Sequence, residues 1–165
     1  ELIGVTMTTH RWQTGQELYR LLNRAQHLSR KGLDTLFLDE LGVTSIQLAA
    51  LLYVAEHPDC LLSDLGEGLS LHGPAITGLI NRIEKKGLLV KQRSPYDGRA
   101  TLVNLTAAGE DLVAQSEPLV IQTNVDATHG LTDAEVEVVM RYLNSVIDHF
   151  HSKEGQNVER IGKTR

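Results

Sequence analysis

The stretch SPYDGRATLVNLTAAGE, residues 94–110, decides the fold of this chain. It contains the dipeptide Asp97-Gly98, a strong hairpin-turn signal because glycine tolerates a positive φ angle. The alternating run ATLVNLT follows this turn, and the run LLVKQR precedes it. The two runs predict a pair of antiparallel strands. Arg93 and Arg99 then lie on either side of an exposed tip, so the hairpin presents positive charge to a partner.

Three helices are predicted early in the chain. Leucines at helical spacing predict a long helix over residues 14–38, with Gly32 as a point where it could break. A second helix begins at Thr44, whose hydroxyl forms a capping box with Gln47. A short third helix follows, with Ser63 as its N-cap.

The segment HGPAITGLINRIEKKG, residues 72–87, predicts a fourth helix directly before the hairpin. Isoleucines and leucines mark its inner face, and Gly87 suits the C′ position just past its end. The residues expected to face outward are His72, Gly73, Thr77, Asn81 and Arg82. His72 is equally suited to be the N-cap of this helix.

Two more helices are predicted after the hairpin. Residues 106–128 form the first, with Pro118 expected to kink or interrupt it. The last helix begins at another capping box, formed by Thr132 and Glu135. Residues 153–165 are a polar tail, which we expect to fray.

The order of helices, turn, helix and hairpin is that of a winged helix-turn-helix. The predicted fold is therefore mainly α with a small β-hairpin wing, and residues 44–105 form the winged helix-turn-helix domain. In this arrangement the fourth helix enters a DNA major groove and the wing lies beside it. The wing arginines then reach phosphates or an adjacent minor groove.

The distribution of charge supports a polyanionic partner. The 165-residue chain has a net charge of -5, but the segment 72–99 holds six basic and two acidic residues, a net charge of +4. The remainder holds ten basic and nineteen acidic residues, a net charge of -9. A basic segment on an acidic body is typical of a nucleic-acid-binding surface, although a solvated helix end would look the same.

The chain resembles the MarR family of bacterial transcriptional regulators over residues 16–150. The wing carries the strongest match, at the family spacing R-x-P-x-D-x-R-x-x-x-V-x-L-T-x-x-G. The matching residues are Arg93, Pro95, Asp97, Arg99, Val103, Leu105, Thr106 and Gly109. The segments GVTSIQLAALLYVAEHP, INRIEKKGLLVK and LTDAEVEVV match as well, in the same order as in the family.

This resemblance implies a homodimer held by residues 14–38 and 106–152. It also implies a palindromic operator, a repressor role and release by a small-molecule effector. Two-fold symmetry would place the fourth helices of the two subunits, which would read the DNA, about one DNA turn apart, roughly 34 Å.

The resemblance and the outward face of the fourth helix together give a set of DNA-binding candidates. They are His72, Gly73, Pro74, Thr77, Asn81, Arg82, Arg93, Asp97, Gly98 and Arg99. Asp97 is expected to hold an arginine through a charge-assisted hydrogen bond, because a carboxylate near DNA is unfavourable. Three departures weaken the match, and one of them is Gly78, which stands where a longer polar or basic side chain is common. His72-Gly73-Pro74 replaces a Ser-Arg-Ser type start, and Asn81 stands where many members have an aspartate that braces the wing.

The first helix offers an effector site. Arg20, Arg24 and His27 form a stripe away from its leucine face, which is either solvated or an anion site. In relatives that respond to phenolic acids, an arginine near this position can pair with the ligand carboxylate. We therefore name Arg20 first and His27 second as contacts to an aromatic carboxylic acid.

Other classes of function are less well supported. The lone Cys60 is either an inert apolar residue or a redox sensor, and relatives that sense peroxide place their cysteine in the first helix. No catalytic or metal-binding motif is present, so neither an enzyme nor a cofactor is predicted. A winged helix that binds a protein instead of DNA remains an alternative, and steep salt sensitivity would distinguish DNA binding. A cytoplasmic location is expected, because no secretory signal or membrane-length apolar run is present.

Overall fold

The structure is a computed structural model that describes residues 2–95 and 97–162, with side chains described for residues 16–95 and 97–150. Its elements are α1 (Leu2–Leu41), α2 (Ser45–Glu56), β1 (Cys60–Leu61), α3 (Leu62–Gly68), α4 (Pro74–Lys85), β2 (Leu89–Arg93), β3 (Thr101–Leu105), α5 (Ala107–Ala127) and α6 (Asp133–Gly162). The chain divides into two compact units, Glu1–Glu117 and Pro118–Arg165.

The first helix is longer than predicted and has no break at Gly32. It ends near Gly42, which adopts a positive φ of 68°. The Asp34 carboxylate accepts hydrogen bonds from the backbone N–H of Ser45 at 2.7 Å and from the Ser45 hydroxyl at 2.6 Å. These bonds lower the pKa of Asp34 and connect α1 to the first residue of α2.

The capping box of α2 is confirmed. The Thr44 side chain accepts from the Gln47 backbone N–H, and the Gln47 side chain accepts from the Thr44 backbone N–H at 3.1 Å. The helix that follows is the central core element, because Leu48, Leu51 and Val54 are all buried.

The sheet has three strands, where the sequence predicted a two-stranded hairpin. Strand β1 lies against β3 in an antiparallel pair, with Cys60 opposite Val103, and β2 lies on the other side of β3. Cys60 therefore lies in a short strand that forms part of the connection between α2 and α3. A two-residue strand carries too little alternation to be recognised from sequence.

Helix α3 begins after Leu61, so the prediction of Ser63 as its N-cap was wrong. Leu61 occupies the N-cap position without a side-chain hydrogen bond, and the Ser63 hydroxyl donates instead to Asp64 at 3.1 Å. The first turn begins directly from the backbone of β1, which leaves no place for a separate capping residue.

The helix-turn-helix and the sheet share one hydrophobic core. Helix α4 packs against β2, and α2 packs against β3. The fully buried side chains include Leu48, Leu51, Leu65, Leu79, Ile80, Ile83, Leu89 and Val103. Helix α5 begins close to this core, because a Cβ added to Gly109 would lie 2.0 Å from the Leu88 carbonyl oxygen.

Helix α5 agrees with the predicted extent, whereas α6 is longer than predicted. Helix α5 runs from Ala107 to Ala127 with Pro118 inside it, so the proline does not interrupt the helix. The capping box at the start of α6 is confirmed, with the Thr132 backbone N–H donating to the Glu135 carboxylate at 2.8 Å. The backbone of α6 is helical to Gly162, so the expected frayed tail begins as helix.

The terminal helices expose many apolar side chains. On α1 these are Leu18, Tyr19, Leu21, Leu28 and Leu38, and on α6 they are Val138, Val139, Met140, Tyr142, Leu143, Ile147 and Phe150. Within the described residues no single helix is long and apolar enough to cross a membrane. One bent pair, Gln16–Leu41 with α2, meets that test by length and composition only.

Candidate nucleic-acid interface

The start of α4 is built from a glycine and a proline. Gly73 occupies the N-cap position with a positive φ of 52°, and Pro74 is the first helical residue. Proline suits this position because its missing N–H would have no partner within the helix. The suggestion that His72 caps the helix was therefore wrong, because the next residue, Gly73, occupies the N-cap position.

Helix α4 has one buried and one exposed face. Ile76, Leu79, Ile80 and Ile83 are buried in the core. The exposed residues His72, Thr77, Asn81 and Arg82 lie outside it, as predicted. The Thr77 hydroxyl donates to the Gly73 carbonyl at 3.2 Å, so its oxygen keeps only acceptor capacity for an outside partner.

The guanidinium of Arg82 lies close to Gly78, which belongs to the same helix, α4. A Cβ added to Gly78 would lie 3.4 Å from Nη1 of Arg82. The guanidinium therefore extends back along α4, over the position where the side chain of Gly78 is missing. This glycine thus makes room for a positive charge on the exposed face of the helix.

The wing tip spans residues 94–100 and is closed by backbone hydrogen bonds. The N–H of Ala100 donates to the Asp97 carbonyl at 2.9 Å, and the N–H of Ser94 donates to the Ala100 carbonyl at 3.0 Å. Gly98 does not adopt a positive φ, so the predicted reason for a glycine in this turn was wrong. The tip is longer than a two-residue turn and does not require that conformation.

Asp97 does hold an arginine, but through the backbone. Its Oδ1 accepts from the N–H of Arg99 at 2.9 Å, where we expected a bond to the guanidinium. The guanidinium of Arg99 is thereby left exposed at the wing tip, and Arg93 is exposed at the end of β2. The carboxylate fixes the turn and leaves the positive group available to a partner.

A cleft separates the wing from α4 and brings predicted residues together. Its volume is about 300 Å³. It is lined by Leu61, Leu62, Ser63, Gly73, Ile76, Thr77, Arg99, Ala100 and Thr101. Gly73, Thr77 and Arg99 were all predicted to bind DNA, and the structure places them on the walls of one concave surface.

Lys91 on strand β2 contacts two side chains of α4. The sequence did not single this residue out. Its Nζ lies 2.9 Å from Glu84 Oε2 and donates to Asn81 Oδ1 at 2.6 Å. Its backbone N–H also donates to Glu84 Oε1 at 3.3 Å. These hydrogen bonds from Lys91 lower the pKa of Glu84. Asn81 thus contacts the wing through Lys91, although asparagine at this position departs from the aspartate that the resemblance implies.

The proposed effector residues lie elsewhere, on the exposed surface of α1. The guanidinium of Arg20 pairs with the Glu17 carboxylate, and that bond raises the pKa of Arg20. His27 is exposed about two turns further along the helix. A second cleft of about 290 Å³ lies between α2, β3 and the start of α5. Neither Arg20 nor His27 lines this cleft or the one beside the wing.

Cys60 is a buried residue of β1, at one edge of the sheet. Its Sγ lies 3.9 Å from the Val103 carbonyl oxygen, and burial is the main cause that raises its pKa. A thiolate is the reactive form of cysteine, so this environment opposes reaction with an oxidant. Among the side chains described, those of residues 16–95 and 97–150, no three His, Cys, Asp or Glu groups are placed so that they could hold a metal ion.

Comparisons with known proteins bear on this surface. A sequence model described as MarR family matches residues 41–100, which include α2, α3, α4 and most of the wing. The chain is 38% identical over 72 residues to the organic hydroperoxide resistance transcriptional regulator of Bacillus subtilis (strain 168), covering 44% of this chain. The match spans 49% of that relative, so about half of its length has a counterpart here.

Solved structures extend the similarity to most of the chain. A variant of MarR from E. coli, complexed with operator DNA, is 27% identical with a TM-score of 0.72 and covers 79% of this chain and 93% of its own. BpsR from Bordetella bronchiseptica, whose DNA binding is regulated by 6-hydroxynicotinic acid, is 25% identical with a TM-score of 0.68. That similarity covers 79% of this chain and 98% of BpsR.

Proposed function

We propose that the chain is a winged helix-turn-helix protein of the MarR family and a DNA-binding transcriptional regulator. The observation that carries this proposal is the exposed surface shared by α4 and the wing. Arg99 and Thr77 line one cleft there, and Arg82 and Arg93 lie exposed on the same two elements. These groups can bind phosphate oxygens and base edges, whereas the acidic remainder of the chain repels DNA.

Helix α4 is the recognition helix in this proposal. Its exposed face enters the major groove, where Thr77 and Asn81 contact base edges and Arg82 contacts a phosphate. Arg99 extends from the wing tip to the backbone or into the adjacent minor groove. The missing side chain at Gly78 and the start His72-Gly73-Pro74 reduce the number of positive groups on the helix. The wing therefore supplies a large share of the affinity.

The active form is a homodimer on a palindromic operator. The terminal helices α1 and α6 each carry large apolar side chains that are about half exposed, such as Leu28 at 54% and Ile147 at 50%. Exposed apolar surface of this extent is typical of a protein interface. A two-fold dimer would place its recognition helices about 34 Å apart, which is one turn of DNA.

A small aromatic acid is the proposed effector, and repression is the proposed direction of control. The similarity to BpsR supports this class of ligand, because DNA binding by that protein is regulated by 6-hydroxynicotinic acid. Arg20 is the proposed partner of the ligand carboxylate and His27 the second contact. Binding would require the ligand to displace the Glu17 carboxylate from Arg20.

Two alternatives are weaker. A redox-sensing regulator is suggested by the similarity to the hydroperoxide regulator, but the buried Cys60 with its raised pKa is poorly suited to it. A protein-interaction module would not need exposed arginines beside the recognition helix. Its binding would be nearly independent of salt.

The experiment is a fluorescence titration of a duplex from the region upstream of the chain's own gene, with and without a panel of aromatic acids. We expect tight binding that one of these acids abolishes. Binding that no acid affects would leave the regulator in place and remove the aromatic effector. Absence of binding to any duplex, including a pool of random sequences, would contradict the proposed function.

A further inference from the structure

Lys91 fixes the direction in which the Asn81 amide points. An ammonium group is a donor only, so the atom of Asn81 that lies 2.6 Å from Lys91 Nζ must be the carbonyl oxygen. The other end of the amide, Nδ2, carries two N–H groups and is directed away from the lysine. The orientation of this amide, which is often ambiguous for asparagine, is thus determined by its partner.

The ammonium of Lys91 has one N–H left after its contacts within the protein. Of its three donors, one goes to Asn81 Oδ1 and one to Glu84 Oε2, at 2.6 Å and 2.9 Å. The Lys91 side chain keeps 29% of its surface exposed, so the third donor can reach a partner outside the protein.

We infer that Asn81 and Lys91 together form a donor-only pair that reads guanine in the major groove. Guanine presents two acceptors there, O6 and N7, and each can accept one N–H from this pair. Asparagine usually reads adenine, because its oxygen accepts from the adenine N6–H while its amide donates to N7. Here the oxygen is bound to a cation, which favours a base edge without donors.

This inference rests on the proposed function, because it concerns the DNA sequence that α4 reads. Lys91 lies on the wing strand, and in this inference it helps to determine which base the recognition helix α4 prefers. The same donors could also bind two phosphate oxygens. That contact would not depend on the base, so the two possibilities differ in their sequence dependence.

The test begins by selecting duplexes that the native chain binds from a pool with a randomised centre about two turns long, ~20 base pairs. Each guanine of the selected half-site is then replaced in turn by 7-deazaguanine, which lacks the N7 acceptor. We expect one position at which this change weakens binding roughly tenfold. Inosine at that position is the matched control, because it keeps O6 and N7 and should bind as well as guanine.

Two protein variants identify the residues that read this position. Lys91→Met frees the Asn81 oxygen, so the preference for guanine should relax towards adenine at that position alone. Asn81→Asp keeps a partner for Lys91 but replaces the donor by an acceptor. It should lose the preference for guanine and tolerate cytosine, whose N4 can donate to a carboxylate. Lys85→Met, which removes the same charge from the end of α4, should leave base preference unchanged.

Each outcome separates this inference from the proposed function. Native binding with a base preference that neither Lys91→Met nor Asn81→Asp alters would overturn the inference and leave the regulator intact. Equal loss on all four bases would show a phosphate contact and overturn it as well. Absence of any native binding would contradict both. Circular dichroism and thermal unfolding of the Asn81→Asp variant, which retains an ion pair to Lys91, confirm that its fold is unchanged.

Discussion

The Lys91 ammonium on β2 lies 2.9 Å from the Glu84 carboxylate on α4. The same carboxylate accepts the backbone N–H of Lys91 at 3.3 Å, so both its oxygens face the wing strand. The pair holds the first strand of the wing against the recognition helix. The two elements that would contact DNA are therefore positioned as one body, which lowers the cost of ordering them when they bind.

The pair predicts a dependence of stability on pH. Hydrogen bonds from Lys91 lower the pKa of Glu84, so its contribution is present above the ordinary glutamate pKa of about 4.3 and is lost as the pH falls through the lower folded value. Glu84→Gln should reduce stability at neutral pH by at most about 1 kcal/mol, because the pair is partly exposed. The measurement is the thermal midpoint of both proteins from neutral to acidic pH.

The difference between native protein and Glu84→Gln should shrink in acid. Other carboxylates with a lowered pKa, such as Glu135, titrate in both proteins and cancel in this comparison. A difference that stays constant across the whole range would show that the Glu84 charge does not contribute.

Arg99 is expected to act on DNA affinity without selecting a sequence. Arg99→Ala should weaken binding to all duplexes and lower the slope of log affinity against log salt by about one, because one phosphate contact is lost. Titrations at several salt concentrations measure both effects. Lys31→Ala is the matched control, since it removes one exposed positive charge from α1. An equal effect of both variants would mean that only net charge matters.

Gly109 and Gly32 should respond in opposite directions to alanine. A Cβ at Gly109 would lie 2.0 Å from the Leu88 carbonyl oxygen, which also accepts the Thr106 N–H. Gly109→Ala should therefore destabilise the chain by at least about 1–3 kcal/mol. Gly32 lies in α1 with no atom within 4 Å of an added Cβ, so Gly32→Ala should stabilise it by about 0.5–1 kcal/mol. Denaturant unfolding measures both values, and a Gly109→Ala variant as stable as the native chain would refute the packing described at Gly109.

Arg20 provides the test of the effector site. Once an aromatic acid that releases the native chain from its duplex is known, Arg20→Ala should raise the concentration needed for release by about tenfold, since a charge-assisted pair is lost. Affinity for DNA without the acid should stay unchanged. Glu17→Gln should have the opposite effect, because it frees the Arg20 guanidinium from its partner. If release by the acid is the same in both variants, the effector does not bind at Arg20.

Local signals in the sequence predicted most of the fold. The capping boxes at Thr44 and Thr132 each depend on two residues that are three apart in the sequence, and both are confirmed. Gly87 has the positive φ expected at the C′ position after α4. Strand β1 could not be predicted in this way. It consists of two residues, and its pairing of Cys60 with Val103 joins segments that are distant in the sequence.

The candidate site was predicted by type of residue but not in its contacts. The arginines of the wing and the exposed face of α4 followed from spacing and charge. The partners of Asp97 and Asn81 did not, because a side-chain oxygen can accept from any nearby donor. Asp97 accepts a hydrogen bond from the backbone N–H of Arg99, and Asn81 accepts one from the side chain of Lys91 on β2. Such choices depend on distances that only the folded chain defines.

The most direct test of DNA binding through α4 and the wing is the salt dependence of that binding. The measurement is the affinity of the native chain for a duplex selected from random sequences, from low to moderate salt. Contacts from the recognition helix and wing predict that log affinity falls linearly with log salt, with a slope of about -0.9 for each phosphate contacted. Affinity that is independent of salt, or no binding at low salt, would contradict it.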